Sequence, residues 1–299
     1  MPLATRLTLC LLATAACAAA QDDRPAELHA PFDALLERHV HDERVDYLAI
    51  RDRAFDQLTG YLDALAAADP AAMPRDARLA YYLNLYNATM IRAVCERLRA
   101  GYSPSDDDYG VFMAPIVRAG GGRELTLNEL ENSVIRAPEF DDPRIHAGLV
   151  CGAVSCPPLL PKAYTAANVD QLLEQNMRRF VRDPARNRIG NDVARLSKIF
   201  EWYPDDFGGR DGIADYVSRY AERDLDDVRI EFLEYSWKLN IAAPRHGRYV
   251  ELERGIDGAP AGALVEVTGE RGDKFEVRLP FGKGSGVIER DETVPFDPR

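Results

Sequence analysis

The clearest hydrophobic pattern in the chain is that of a long helix over residues 76–100. Its apolar stripe repeats every three or four residues and consists of Leu79, Leu83, Tyr86, Met90, Val94 and Leu98. Apolar residues also extend beyond this face, so we expect the helix to be largely buried. Asn84 and Asn87 flank the stripe, and a buried amide needs hydrogen-bond partners. The two asparagines are therefore expected either to orient a reacting group or to bond to a loop backbone.

Other segments alternate between helical and extended patterns. Helical spacing recurs at residues 25–68, 126–137, 165–183 and 212–223. The third segment of these four carries Thr165 as its predicted N-cap, and the second begins with Thr126 and Glu129 in the spacing of a capping box. Gly190 and Asn191 predict a hairpin turn, and residues 228–232 alternate as a half-buried strand. This mixture predicts an α+β fold with a helix-rich domain around a small β-sheet.

Residues 144–161 read RIHAGLVCGAVSCPPLLP and hold His146, Cys151 and Cys156. The short apolar run that carries the histidine predicts a buried strand, and Gly152 followed by two prolines predicts a sharply turned loop. Reactive side chains are commonly placed on such junctions between a rigid element and a loop.

The last part of the chain, residues 245–299, has no helical periodicity. Extended runs such as ALVEVTGE and KFEVRLP are separated by glycine-rich turns. These residues therefore predict a separate, small all-β module that follows the larger domain.

The N-terminus has the pattern of a bacterial secretory signal. Arg6 precedes the apolar run LTLCLLATAACAAA, and Gln21 with two aspartates follows it. We expect cleavage after Ala20, so that residues 1–20 are removed and the protein is periplasmic or secreted. Lipid attachment at Cys17 stays open. Removal of the segment leaves three cysteines, Cys95 among them, and an odd number means that at least one is unpaired.

Composition narrows the classes of partner. The 299 residues are 46% hydrophobic and 29% charged, enough to bury a sizeable core. The net charge is -12 and no long run of Lys or Arg is present, which excludes nucleic acid as a partner. No run after the signal reaches the roughly 18 residues of a membrane span, so none is expected in the mature chain.

Four motifs, YYLNLYNATMIRAV, LTLNELENSVIR, IHAGLVCGAVSCPPL and LSKIFEWYPDDF, occur in this order. Together they resemble the domain of unknown function 547 family over roughly residues 32–243, within a domain that we place at residues 25–243. The tail at 245–299 resembles a bacterial SH3-like barrel, although Val287 stands where such modules usually carry a tryptophan. The order of an apolar helix and then a histidine-bearing segment is also similar to papain and transglutaminase-like enzymes.

A thiol enzyme needs a cysteine that an imidazole converts to thiolate, with a third group to orient the ring. On a regular strand, residues 146 and 151 would point to opposite faces, whereas the turn at Gly152 could return Cys156 to the face of His146. We therefore predict Cys156 and His146 as catalytic, aided by Asn84 and Asn87. The predicted supporting residues are Cys151, Glu131, Lys198 and Asp206.

Two alternatives to this site stay open. Cys151 and Cys156 could form a disulfide, which an oxidising compartment favours, or both could be buried packing groups beside a core histidine. The hypothesis is an exported thiol-dependent amide or ester hydrolase or transferase of the cell envelope, without cofactor or metal. It would act on an envelope component, a peptide or a small molecule. The rival is a non-enzymatic envelope binding or scaffold protein.

Overall fold

The computed structural model describes residues 24–298. The predicted signal peptide, with Cys10 and Cys17, lies outside these residues. The described chain is a mixture of helices and strands, which confirms the α+β class. Within residues 24–298, none of the helices combines the length and the apolar character that a bilayer span requires.

Ten α-helices, several of them single turns, occur in the described chain. They are α1 (Arg24–His39), α2 (Tyr47–Ala49), α3 (Phe55–Ala67), α4 (Arg75–Arg97), α5 (Asp106–Met113), α6 (Leu127–Glu129), α7 (Ile145–Gly148), α8 (Val169–Arg182), α9 (Lys198–Trp202) and α10 (Gly209–Ala221). Two π-helical turns, Ile50–Ala54 and Leu130–Ile135, follow α2 and α6, and a 3-10 turn, Pro204–Phe207, follows α9.

Helix α4 is the predicted apolar helix, and the structure confirms it. It contains no glycine or proline, and Pro74 precedes its first residue. Every residue from 79 to 91 is buried, so the helix is enclosed on all sides over these turns. It forms the centre of the largest hydrophobic core, in which α1 and α3 pack around it. Because α4 is buried in the core, only a few of its side chains can contribute to a site.

The predicted strand over residues 144–151 is wrong. Residues 145–148 form the helical turn α7, and the chain then runs extended without a neighbouring strand at 149 and 150. The amide of Asn87 donates to the carbonyl of Gly148 at 2.9 Å and accepts the N–H of Val150 at 2.9 Å. A buried side chain thus satisfies backbone groups that a strand would have paired with a sheet. The parity argument that separated His146 from Cys151 therefore does not apply.

Twelve strands form four small sheets within residues 24–298. They are β1 (Val40–His41), β2 (Arg44–Val45), β3 (Val117–Ala119), β4 (Arg123–Leu125), β5 (Arg188–Ile189), β6 (Val193–Leu196), β7 (Arg229–Phe232), β8 (Arg248–Leu252), β9 (Leu264–Arg271), β10 (Lys274–Arg278), β11 (Ser285–Glu289) and β12 (Thr293–Pro295). The predicted hairpin joins β5 to β6, and β7, the predicted strand, pairs parallel to β6.

The C-terminal strands form one antiparallel sheet in the order β11-β10-β9-β8-β12. This sheet has a hydrophobic core of its own, to which Val250, Val265, Phe275 and Val277 contribute. Tyr249 and Leu264 belong instead to the core around α4. The sheet is thus packed against the helical part of the chain.

Candidate functional site

A cavity of about 550 Å³ opens beside α4, between α5, α7, α9 and the π-helical turn Leu130–Ile135. Its lining brings together four of the predicted site residues, His146, Cys151, Cys156 and Glu131. The cavity is therefore the place where the predicted chemistry can be judged.

His146 is held in one orientation on α7. Its side chain is 3% exposed, and Nε2 lies 2.7 Å from Oδ2 of Asp206. A carboxylate can only accept, so Nε2 carries the proton of the neutral ring and Nδ1 holds the lone pair. The ring of Tyr203 packs against the imidazole with centroids 4.3 Å apart. This arrangement leaves Nδ1 as the nitrogen that can take up a proton.

Asp206, in the turn Pro204–Phe207, anchors the histidine and is itself held by Arg136. Arg136 donates from Nε to Oδ2 at 2.7 Å and from Nη2 to Oδ1 at 2.9 Å. Burial raises the pKa of the Asp206 carboxyl, but the hydrogen bonds from His146 and Arg136 outweigh this and hold that pKa well below its usual range. Asp206 is therefore a carboxylate across the physiological pH range.

The two cysteines of the motif lie side by side as free thiols, so the disulfide alternative is not observed. Sγ of Cys156 is buried and accepts the backbone N–H of Cys151 at 2.9 Å. Cys151 is partly exposed as a residue, and its Sγ lies 3.1 Å from the hydroxyl of Tyr235. Both cysteines line the cavity, and Cys151 is the more exposed of the two.

The environments of these thiols shift their pKa values in opposite directions. Burial raises the pKa of Cys151, but interactions with the side chains of Cys156 and Tyr235 and the N–H of Ala153 outweigh burial and lower it. Burial, reinforced by the neighbouring Cys151 sulfur, raises the pKa of Cys156 well above its usual value. The pKa of Cys151 is thus shifted down, and that of the predicted nucleophile Cys156 is shifted up.

Gly152 makes the turn that sets this arrangement. Its φ of +79° lies in the left-handed region, and a Cβ there would meet the side chains of Met90 and Pro104 at 3.2 Å each. Only glycine fits both requirements without strain. The turn brings the N–H of Ala153 to the Cys151 sulfur.

The predicted catalytic asparagines both bond to the backbone and do not line the cavity. Asn84 donates to the carbonyl of Tyr164 at 2.7 Å and accepts its N–H at 3.0 Å. Asn87 holds residues 148 and 150 in the same reciprocal way. Their amides fix the loops on either side of the motif and do not face a substrate. The structure thus places both as positioning residues.

The remaining predicted supporting residues lie in two different places, Glu131 in the cavity wall and Lys198 outside the cavity lining. The carboxylate of Glu131 lies in the cavity wall beside the hydroxyl of Tyr203, whose pKa is raised by burial and by that carboxylate. Lys198 forms an ion pair with Glu201 at 2.6 Å and is not part of the cavity lining. Lys198 therefore has no contact with the site.

Sequence reasoning assigned no role to several residues that complete the site. Arg136 binds Asp206, and Tyr235 and Trp237 form one wall of the cavity with Trp202. One signal was present in the sequence, because the only two tryptophans of the chain occur in the aromatic stretches EWY and EYSW. Because these tryptophans are far from the cysteines in sequence, the sequence alone does not indicate that they line the same cavity.

Residues 70–181 match the family model described as Protein of unknown function, DUF547. The comparisons with curated proteins and with solved structures found no match. The matched region includes α4, α7 and α8 with His146, Cys151 and Cys156, whereas Asp206 and Trp237 lie beyond it. Residues 70–181 of this chain are thus similar to the DUF547 family, which confirms the family resemblance over this part of the predicted range 32–243.

Proposed function

We propose that the protein is a thiol-dependent acyl hydrolase or transferase that acts on an amide or ester. The observation that carries the proposal is the cavity that holds both a histidine oriented by a carboxylate and a partly exposed cysteine of lowered pKa. These are the groups that nucleophilic thiol catalysis requires. The nucleophile of this proposal is Cys151, in place of Cys156.

In the proposed reaction, the Cys151 proton passes to Nδ1 of His146 and the thiolate attacks the carbonyl carbon of the substrate. The bond to the amine or alcohol then breaks, and the imidazolium returns its proton to that leaving group. Water or an acceptor amine attacks the resulting thioester, gives up a proton to His146, and releases the Cys151 thiolate. Asp206 stabilises the imidazolium throughout, as a carboxylate on the distal nitrogen does.

Neighbouring groups have supporting roles in this proposal. The Tyr235 hydroxyl, 3.1 Å from the Cys151 sulfur, donates to the thiolate and steadies its charge. The buried sulfur of Cys156 accepts the backbone N–H of Cys151 and so keeps the loop in place. A change at Cys156 should accordingly slow the reaction of Cys151 without abolishing it, because the Cys156 side chain also helps to lower the pKa of Cys151.

The setting of the activity is part of the proposal. Export through the N-terminal signal would place the enzyme in the periplasm or outside the cell, where an envelope component or a peptide is its substrate. A papain- or transglutaminase-like helical part and an SH3-like tail, as the sequence predicts, would fit this role. The C-terminal sheet would hold the site near its substrate.

The test uses nitrophenyl acetate, which leaves an acetyl group on a reactive thiol and releases coloured nitrophenol. The full chain should take up one acetyl group at Cys151, found by mass spectrometry of the digested protein, with matching nitrophenol release. Cys151→Ala should take up none, whereas the matched control Cys156→Ala should still react. If Cys151→Ala releases nitrophenol as fast as the unchanged protein, the proposal is wrong.

A non-enzymatic binding or scaffold protein is the second candidate. The observation in its favour is that His146 is enclosed by Tyr203 and Phe207 and is bonded to Asp206, an arrangement that also braces a cavity wall. In that case neither cysteine would be acylated, and Cys151→Ala would leave every biological activity of the protein intact.

A further inference from the structure

Five aromatic side chains line the cavity, pack against one another and form what we call the aromatic cage. They are Tyr109, Phe112, Trp202, Tyr235 and Trp237. The ring centroids of Tyr235 lie 4.8 Å from those of both Trp202 and Trp237. Tyr109 packs edge-on against Trp237 at 5.0 Å. Trp202 is 44% exposed and Tyr109 40%, so the cage presents aromatic surface to solvent.

The charged groups of the cavity lining are of one sign. Asp108 and Glu131 contribute carboxylates, and none of the lining residues is a lysine or arginine. Arg136 interacts electrostatically with Glu131, but its two hydrogen bonds to a carboxylate both go to Asp206. Among residues 24–298, Asp108 makes no ion pair. With a net chain charge of -12, this cavity should attract cations and repel anions.

A strained turn places Asp108 and Tyr109 at the opening. Asp107, Asp108 and Tyr109 have φ of 54°, 52° and 62°, a left-handed run that side chains disfavour. Contacts just before the turn hold it, since Asp106 pairs with Arg99 and Ser103 donates to the carbonyl of Trp237. Strain of this kind is kept where a side chain must point in a required direction.

We infer that the aromatic cage and the two carboxylates bind a cationic group of the substrate, an ammonium. The inference rests on the proposed function, since it names the substrate class of the same cavity. Aromatic faces attract cations, and aromatic cages commonly recognise quaternary ammonium groups through this contact. A neutral apolar group would cover the rings but would desolvate two carboxylates without compensation. The substrate is therefore an ester or amide that carries a positive charge.

Both tryptophans of the chain belong to the cage, so tryptophan fluorescence reports this site alone. The experiment titrates the full chain and its Cys151→Ala variant with choline and with dimethylbutanol, its uncharged carbon isostere. We expect a saturable fluorescence change with choline and at least about tenfold weaker binding of the isostere. Butylammonium, titrated in the same way, distinguishes a primary amine from a quaternary ammonium as the source of the charge.

A matched pair of variants tests the charge. Asp108→Asn should weaken choline binding about threefold, whereas Asp107→Asn should leave it unchanged. Asp107 is the adjacent exposed aspartate with the same left-handed backbone, and it does not line the cavity. Equal effects of the two variants would remove the electrostatic part of the inference.

Equal affinity for choline and dimethylbutanol, tighter binding of the isostere, or no response to either would overturn the inference. Binding to Cys151→Ala does not depend on acyl transfer, so the two proposals fail separately. Choline binding without acetylation of Cys151 removes the proposed enzyme and keeps the cation site. Acetylation of Cys151 without choline selectivity keeps the proposed enzyme and removes the cation site.

Discussion

Two arginine–aspartate pairs occupy contrasting environments in this protein. The side chains of Arg51 and Asp52 are 2% and 0% exposed, between the turn Ile50–Ala54 and the C-terminal sheet. The side chains of Arg136 and Asp206 are 23% and 24% exposed and lie behind the wall of the cavity. Both pairs are bidentate, so the pairing itself does not distinguish them.

The partners of each pair explain the difference. Arg51 donates to the carbonyl of Leu264, and Asp52 accepts from the hydroxyl of Tyr249. These partners belong to the C-terminal sheet, so this buried pair joins the two parts of the chain. Asp206 instead shares its carboxylate with His146, a ring that can gain and lose a proton. The same chemistry thus braces the fold at one place and orients a proton carrier at the other.

The largest expected effect comes from breaking the buried pair. Arg51→Met leaves Asp52 as an unpaired buried carboxylate and should lower the free energy of unfolding by about 3–5 kcal/mol. Arg136→Met, its matched control, removes a partly exposed pair and should cost about 1 kcal/mol or less. Urea unfolding of both variants measures the contrast. Equal losses would show that burial does not separate the two pairs.

For activity, the larger loss should come from a change in the Arg136–Asp206 pair, not from one in the buried Arg51–Asp52 pair. Asp206→Asn removes the charge that stabilises the His146 imidazolium and should slow acetyl transfer to Cys151 by about a hundredfold or more. Asp52→Asn should unfold more readily but, where folded, react at the rate of the unchanged protein. Stopped-flow nitrophenol release compares the rates. An Asp52→Asn variant that is folded yet equally slow would contradict the assignment of roles.

A smaller effect concerns stability at acid pH. The hydrogen bonds from His146 and Arg136 hold the folded-state pKa of Asp206 below its unfolded value of about 4. The stabilisation is therefore complete above about pH 4 and is lost as the pH falls through the lower folded pKa. The stability advantage over Asp206→Asn should shrink as urea unfolding is repeated from about pH 6 down to about pH 3. A constant difference would mean that the carboxylate is not stabilised.

The parts of the fold that local pattern determines could be predicted. Helix α4 follows from an uninterrupted 3.6-residue repeat, and Thr126 with Glu129 forms the predicted capping box. The segment that carries His146 was misjudged, because a short apolar run is compatible with a strand or a buried helical turn. Its conformation depends on Asn87, which lies far away in sequence. The Asn87 amide bonds to the backbone of Gly148 and Val150, where a neighbouring strand would otherwise pair.

The site was predictable only as a set of residue types. His146, Cys151, Glu131 and Asp206 were all named, but the choice between the cysteines rested on strand parity and therefore favoured Cys156. That choice depends on which sulfur meets Tyr235 and which is buried, and both are properties of the tertiary fold. Arg136 and Trp237 gave no local signal, because only packing brings them to the cavity.

The central claim is that Cys151 is a thiolate nucleophile, and its alkylation by iodoacetamide as a function of pH tests this most directly. Mass spectrometry of the digested full chain would follow Cys95, Cys151 and Cys156 separately. We expect Cys151 to be labelled first, with a midpoint below the value of about 8.5 for a free cysteine, while the two buried thiols stay unlabelled in the folded protein. A midpoint for Cys151 at or above that value, or faster labelling of Cys156, would contradict it.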